Sequence, residues 1–366
     1  MKSLIARSTF LALTSLLLVS CRTAPDAAGK AATRFISAAD PRFRYDGRID
    51  FSDPKAPVLI WQASRVSVDF TGGTLSLFFK NSRDQCYFDV DVDGTNTIIG
   101  FTADTMSASK SFTGLGPGRH RLVLFKRSEA SAGTASFRGM EIADGAKVSA
   151  PLPPVAKLRM EFIGDSITAG ACDEDGDKDQ WEDRRTHNAA RSYAALTARA
   201  FWADYRNISV SGMGIATGWV PMKAGETWDR LYPKPSSQRA DLPAWMPDVV
   251  FVNFGENDDS FPRAHQQPFP AGYTDGYVAL IQAVRRSYPA ARIVLLRGGM
   301  FGGAKSAELR AAWEAAVAHL EAADPLIRHF VFTHWTSNHP RVADHRAMAD
   351  ELISWLEQQE FMSRYR

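Results

Sequence analysis

Cysteine is nearly absent from this chain: Cys21, Cys86 and Cys172 are the only three in 366 residues. No Cys-x-x-Cys pair or comparable Cys/His spacing occurs, so neither a disulfide framework nor a structural zinc site is expected. Cys86 and Cys172 fall in segments of different character, and no bridge between them is expected. Charge of one sign is lacking too, with 43 Lys and Arg against 41 Asp and Glu. Without a basic footprint for phosphates, nucleic acid is excluded as an expected partner. The apolar run Phe10–Val19 is too short to span a bilayer comfortably. Internal repeats are missing. What remains is the balance of a folded globular protein, 45% hydrophobic and 23% charged, long enough for two domains.

The first twenty residues have a separate character. Lys2 and Arg7 precede the apolar run, which ends in Leu18-Val19-Ser20-Cys21. That ending resembles a bacterial lipoprotein signal, which implies cleavage before Cys21 and lipid attachment to its thiol. Arg22 follows, rather than the Asp that often retains such proteins at the inner membrane, so an outer-membrane anchor is expected. Residues 21–34 read as an Ala-rich tether. Loss of residues 1–20 removes two basic residues and no acidic one, leaving 41 of each sign.

Residues 35–149 read as an all-β domain. Strand-like runs at 58–62, 65–70, 74–80, 85–92, 119–126 and 134–142 are punctuated by Thr71-Gly72-Gly73, Asn81-Ser82, Asp93-Gly94 and Gly116-Pro117-Gly118. Many short strands without helices suggest a jelly-roll sandwich. Ala150-Pro151-Leu152-Pro153-Pro154 lies in a stiff linker over 150–157. From 158 to 366 strands and helices alternate. Strand candidates at 158–163, 207–210, 249–254, 293–296 and 329–332 are interleaved with helical stretches at 190–202, 273–287, 306–322 and 341–358. That alternation predicts an α/β domain with a parallel sheet between helical layers.

Functional residues in open α/β sheets gather beyond the carboxyl ends of strands. Four segments of the second domain sit there: Gly164-Asp165-Ser166-Ile167-Thr168, Ser209-Val210-Ser211-Gly212-Met213-Gly214, Gly255-Glu256-Asn257-Asp258 and Asn338-His339-Pro340. Each alone is weak, but their order and placement together resemble the blocks of SGNH (GDSL-like) hydrolases. The resemblance covers about 158–366 and implies a five-stranded, flavodoxin-like α/β/α fold. It implies Ser166 as nucleophile, His339 as base, and an oxyanion hole of Ser166, Gly212 and Asn257. A serine hydroxyl needs an adjacent imidazole to take its proton, and the tetrahedral oxyanion needs fixed donors. A sandwich ahead of such a domain resembles family-2 carbohydrate esterases, which remove acetyl groups from xylans and mannans. Arg191–Arg199 and Asn338-His339-Pro340 add to that likeness.

One departure from the pattern stands out. Many relatives place Asp three residues before the histidine, where this chain has Thr336. A Ser-His dyad is therefore expected, with His339 oriented by a backbone carbonyl near Trp335–Ser337; Asp344 and Asp324 are the other candidates. The acidic stretch Asp173–Asp179 fails the EF-hand pattern and reads as a solvated loop beside the site. His334 and His345 read as structural, and Asp165 and Asp258 as loop ties. Trp219 and Trp335 are candidates for stacking on sugars. The bland alternatives make Ser166 a helix N-cap and Asn257 a turn residue. The expectation is thus a monomeric acetyl esterase for carbohydrates that uses no metal and no cofactor. Its rivals are an SGNH esterase for another ester or cell-envelope glycan, and a non-catalytic surface glycan-binding protein.

Overall fold

The structure is a computed structural model that describes residues 32–102, 104–152 and 157–365. The signal, Cys21 and nearly all of the tether lie outside the described residues.

The N-terminal part is a sandwich of two six-stranded antiparallel sheets. In one, β3 (Ile49–Asp50), β4 (Val58–Leu59), β11 (Gly133–Ala143), β6 (Thr74–Asp84) and β9 (Thr105–Thr113) lie in that order, and β1 (Thr33–Ser37) also pairs with β11. In the other the order is β12 (Val148–Ser149), β5 (Arg65–Thr71), β10 (Arg119–Lys126), β7 (Cys86–Val92) and β8 (Thr95–Phe101), with β2 (Arg44–Asp46) on β5. Alternation drives this assembly. Leu75, Leu77 and Phe79 of β6 point inward with Leu122 and Leu124 of β10, Phe137 of β11, and Val66, Val68 and Phe70 of β5. Asp93 and Gly94, both at positive φ, turn β7 into β8, as the Asp-Gly pair predicts.

The C-terminal part is a five-stranded parallel sheet ordered β14 (Asp204–Ser209), β13 (Arg159–Gly164), β15 (Val249–Asn253), β16 (Arg292–Met300), β17 (Ile327–Thr336). Strands β13 and β15 are buried almost throughout because helices cover both faces. On one face pack α5 (Tyr273–Ser287) and α7 (Ala307–Ala323), and on the other α2 (Tyr193–Ala200) and α8 (Val342–Glu357). Ser192 and Ser306 cap α2 and α7 with their hydroxyls. Register places the chemistry: Gly164 lies opposite both Ser209 and Asn253, so the segments after these three strands emerge side by side. Met300 opposite Thr336 does the same for the last two.

The sandwich and the sheet domain share a buried polar seam. Arg48 pairs with Glu161 of β13 at 3.2 Å, the two side chains 2% and 0% exposed. The Gln62 amide donates to Asn207 Oδ1 and to the carbonyl and hydroxyl of Ser209 at 2.9–3.0 Å. Trp61 donates its indole N–H to Leu231 O at 2.8 Å. Ile60, Trp61 and Ala130 of the sandwich also belong to the core on one face of the parallel sheet. Breaking a buried pair from one side strands a charge in a medium that cannot solvate it. Arg48→Ala is therefore expected to lower unfolding free energy by about 3–5 kcal/mol, read as a downward shift of the urea midpoint. A loss under about 1 kcal/mol would show that the pair does not hold the seam.

Candidate active site

Ser166 opens α1 (Ser166–Ala169), a single turn directly after β13. Its N-cap is Asp165, whose Oδ1 accepts the Ile167 N–H at 3.0 Å. The capping role considered for Ser166 thus falls to its neighbour. The Ser166 hydroxyl carries no hydrogen bond among the described residues. Ser166, Gly212, Asn257 and His339 all line one cavity of about 810 Å³, together with Trp181, Trp219, Met300 and Phe301.

Gly212 sits at φ +79°, and a Cβ there would come within 3.1 Å of the Trp219 Cβ. Glycine is thus required both by the left-handed backbone and by the close approach. Its carbonyl accepts from Trp219 N at 2.8 Å, while its own N–H has no protein acceptor among the described residues. Asp258, in α4 (Glu256–Ala264), takes the N–H groups of Ile215, Ala216 and Thr217 at 2.7–3.0 Å. Burial nevertheless pushes its carboxyl up to about 6. Asn257 donates to Met213 O at 3.0 Å and to Asp165 Oδ2 at 3.2 Å. Asp165 is fully buried, and desolvation, with the nearby charges of Glu256 and Asp258, pushes its carboxyl well above the usual range.

His339 follows β17. Its Nδ1 lies 2.6 Å from Asp179 Oδ2, which also accepts the His339 backbone N–H at 3.2 Å. Arg341 Nη1 holds the other carboxylate oxygen at 2.8 Å. Burial opposes ionisation of Asp179, but His339 and Arg341 outweigh it and hold the carboxyl well below the usual range. The expected dyad with a carbonyl orienter is therefore corrected. A carboxylate orients the imidazole, and it comes from the acidic stretch expected to be a solvated loop. Asp173 in that stretch is buried as well, taking the Asn188 N–H at 2.9 Å. Both other candidates are engaged elsewhere: Asp324 pairs with Arg285, and Asp344 holds His334 Nε2 at 2.8 Å while closing the first turn of α8. His345 is buried in α8, where desolvation lowers it to about 3 and its Nδ1 accepts the Tyr193 N–H.

Trp219 is 53% exposed, with its indole N–H on Ser260 Oγ at 3.0 Å. Trp335 does not line the cavity; it meets Phe301 edge-on at 6.2 Å, and Phe301 does line it. The ring that sequence reasoning missed is Trp181, T-shaped on His339 at 5.0 Å. Cys172, Asp179 and His339 could bring ligand atoms within 4.8 Å of one another. Asp179 and His339 already hold each other there by their 2.6 Å hydrogen bond.

Residues 45–153 match the family model described as carbohydrate esterase 2 N-terminal, and residues 162–355 match that of the GDSL-like lipase/acylhydrolase family. The cellulase/esterase CelE of Acetivibrio thermocellus is 35% identical over 326 residues, which are 86% of this chain. The chain spans only 39% of the length of that relative. An acetylxylan esterase/glucomannan deacetylase of Cellvibrio japonicus is 27% identical, covering 89% of this chain and 91% of the relative. A family two carbohydrate esterase from Clostridium thermocellum, solved in complex with cellohexaose, superposes with a TM-score of 0.76 at 32% identity, over 86% of this chain and 98% of that one.

If Asp179 fixes the tautomer of His339, Asp179→Asn lowers kcat on an aryl acetate by between roughly 10²- and 10⁴-fold with little change in KM. Asp324→Asn and Asp344→Asn are expected to stay within about threefold of wild type, since neither carboxylate touches His339. Asp179→Asn retaining a third of wild-type kcat would return the orienting role to the backbone.

Proposed function

The chain belongs to carbohydrate esterase family 2, with a GDSL-like hydrolase domain, and from that premise we propose that it removes O-acetyl groups from polysaccharides or oligosaccharides of the xylan and mannan type. The observation that carries this reading is the 2.6 Å contact of Asp179 with His339 Nδ1 beside the cavity that Ser166 also lines. With Nδ1 committed, Nε2 is the nitrogen left to serve as base. The hydrogen bond from Ser166 Oγ to Nε2 forms only as substrate enters, since catalytic bonds are commonly long or unmade in the free enzyme.

Ser166 Oγ attacks the acetyl carbonyl carbon as its proton passes to His339 Nε2. The carbonyl oxygen becomes an oxyanion facing the Ser166 and Gly212 N–H groups and the Asn257 amide. The bond between the carbonyl carbon and the sugar oxygen then breaks, the imidazolium returns its proton to that oxygen, and acetyl-Ser166 remains. Water attacks the acyl carbon as its proton passes to His339, the bond from that carbon to Ser166 Oγ breaks as the proton returns to Oγ, and acetate leaves. Trp219 and Trp181 supply apolar faces for the sugar rings. The name of the acetylxylan esterase/glucomannan deacetylase relative supports the substrate class.

Acetate release from acetylated xylan, acetylated glucomannan and short-chain aryl esters is expected for wild type. With Ser166→Ala the rate is expected to fall by at least about 10³-fold. Equal rates in the two proteins would end the nucleophile assignment, and preference for long acyl chains would end the deacetylase reading. The Leu18–Cys21 sequence supports the further proposal of an exported protein anchored in the outer membrane. Cells fed a radiolabelled fatty acid are expected to label wild type and not Cys21→Ser, and label retained by the variant would refute the anchor.

A further inference from the structure

Between β10 and β11 the sandwich sends one carboxylate across the seam into the catalytic cavity. Glu129 lines that cavity although only 1% of its side chain is exposed. Its Oε2 accepts the backbone N–H of Ser211 at 2.9 Å, the residue just before Gly212. Its Oε1 faces Arg184 Nη1 at 3.3 Å and His187 Nδ1 at 3.6 Å. Burial opposes ionisation, but His187, Arg184 and the Ser211 N–H outweigh it and bring Glu129 down to about 2. The loop that carries Glu129 is itself held rigidly. The buried Lys126 ammonium donates to the carbonyls of Ser128 and Glu129 at 2.8 and 3.0 Å. Ser128 Oγ accepts the Tyr87 N–H at 3.0 Å, and Gln62 Oε1 accepts the Ala130 N–H at 3.0 Å.

We propose that Glu129 is a positioning residue for the oxyanion hole, so that the sandwich completes the active site rather than merely accompanying it. The segment bearing Gly212 is clamped by a carboxylate on each side: Glu129 from the sandwich at Ser211, and Asp258 from the sheet domain at Ile215–Thr217. A donor serves an oxyanion only within a few tenths of an ångström of the right place. The peptide that ends at Ser211 N is hinged to the peptide whose N–H is Gly212's, so loss of the Glu129 anchor lets the Gly212 N–H swing. A displacement near 1 Å costs about 10²-fold in rate. This role rests on the esterase reading above.

Three variants separate reach from charge. Glu129→Gln keeps the length and an acceptor for Ser211 but loses the charge. Glu129→Asp keeps the charge but is one methylene too short to reach. Glu129→Ala loses both. With an aryl acetate, Glu129→Asp and Glu129→Ala are expected to lose about 10- to 100-fold in kcat with KM within about threefold. Glu129→Gln is expected to stay within about fivefold of wild type. Hydrogen exchange at the Ser211 amide of the folded proteins is expected to be faster in Asp and Ala than in Gln. The reverse order, Asp active and Gln impaired, would make Glu129 a counter-ion for Arg184 and His187 and overturn the proposal. All three variants within twofold of wild type, or a Gln variant that fails to fold, would overturn it as well. Failure of the esterase reading shows elsewhere, as a wild type no faster than Ser166→Ala, and the proposal falls with it.

Discussion

Arg48 and Glu161 meet where neither can be solvated by water, and much of the molecule depends on that meeting. An arginine of the sandwich and a glutamate in the middle of a parallel strand are 2% and 0% exposed. Parting them would leave two bare charges in a medium of low dielectric. The sandwich therefore cannot swing as a module on a linker. Gln62 and Trp61 add directional bonds to the same seam, which fixes the sandwich in register with β14 and with the loop at Leu231. A wall of the catalytic cavity built from sandwich residues is possible only because the seam is rigid. Glu129 and Ser131 are that wall.

Within the rigid frame four carboxylates around the cavity differ in their partners. Asp179 and Glu129 each face cationic or imidazole partners and are held ionised. Asp165 and Asp258 accept only N–H groups or an amide, and burial raises both, with the charges of Glu256 and Asp258 adding to it at Asp165. A fixed negative charge is wanted behind an imidazole that becomes positive, and Asp179 stands against His339 in that way. Asp165 is the residue just before Ser166, and Asp179 holds His339 at Nδ1.

Legibility from sequence followed the physics of each element. Strands β13 and β15, with Met160, Phe162 and Ile163 and with Val249–Val252, are apolar runs that only a sheet covered on both faces accepts, and they read plainly. Strands β8 and β9 did not. Most of β9 is exposed or half-exposed, so it carries no alternation to read. The extension of β16 through Gly298 and Gly299 was hidden because two glycines at positive φ look like a break, whereas they form an irregularity against β17. Helix α4 was hidden by its polar sequence and Pro262, although Glu256, Asp258 and Asp259 in its first turn suit a helix N-terminus. Ser166, Gly212, Asn257 and His339 were legible because each follows a readable strand. Asp179 was not, because its contact with His339 joins positions 160 residues apart, in a loop with no periodicity.

The Asp179 loop is tied to the sandwich as well as to the sheet domain. Asp179 is presented by the stretch from Cys172 to Thr186, which makes its firmest attachments in two directions. Toward the sheet domain, Arg341 grips Asp179 Oδ1, the Gly176 carbonyl and the Cys172 carbonyl. Toward the sandwich, Gln85 donates to Glu182 O at 2.6 Å and accepts the Arg184 N–H at 2.9 Å, while Tyr87 OH donates to Asp183. An orienter carried three residues before the histidine would share the histidine's own loop and need no such bracing. Here the carboxylate stands on a separate loop, and only external supports can hold it to the tolerance that proton transfer demands. The sandwich therefore reaches the cavity by two routes, through Glu129 to Ser211 and through Gln85 and Tyr87 to the loop that carries Asp179. The catalytic geometry belongs to both domains together.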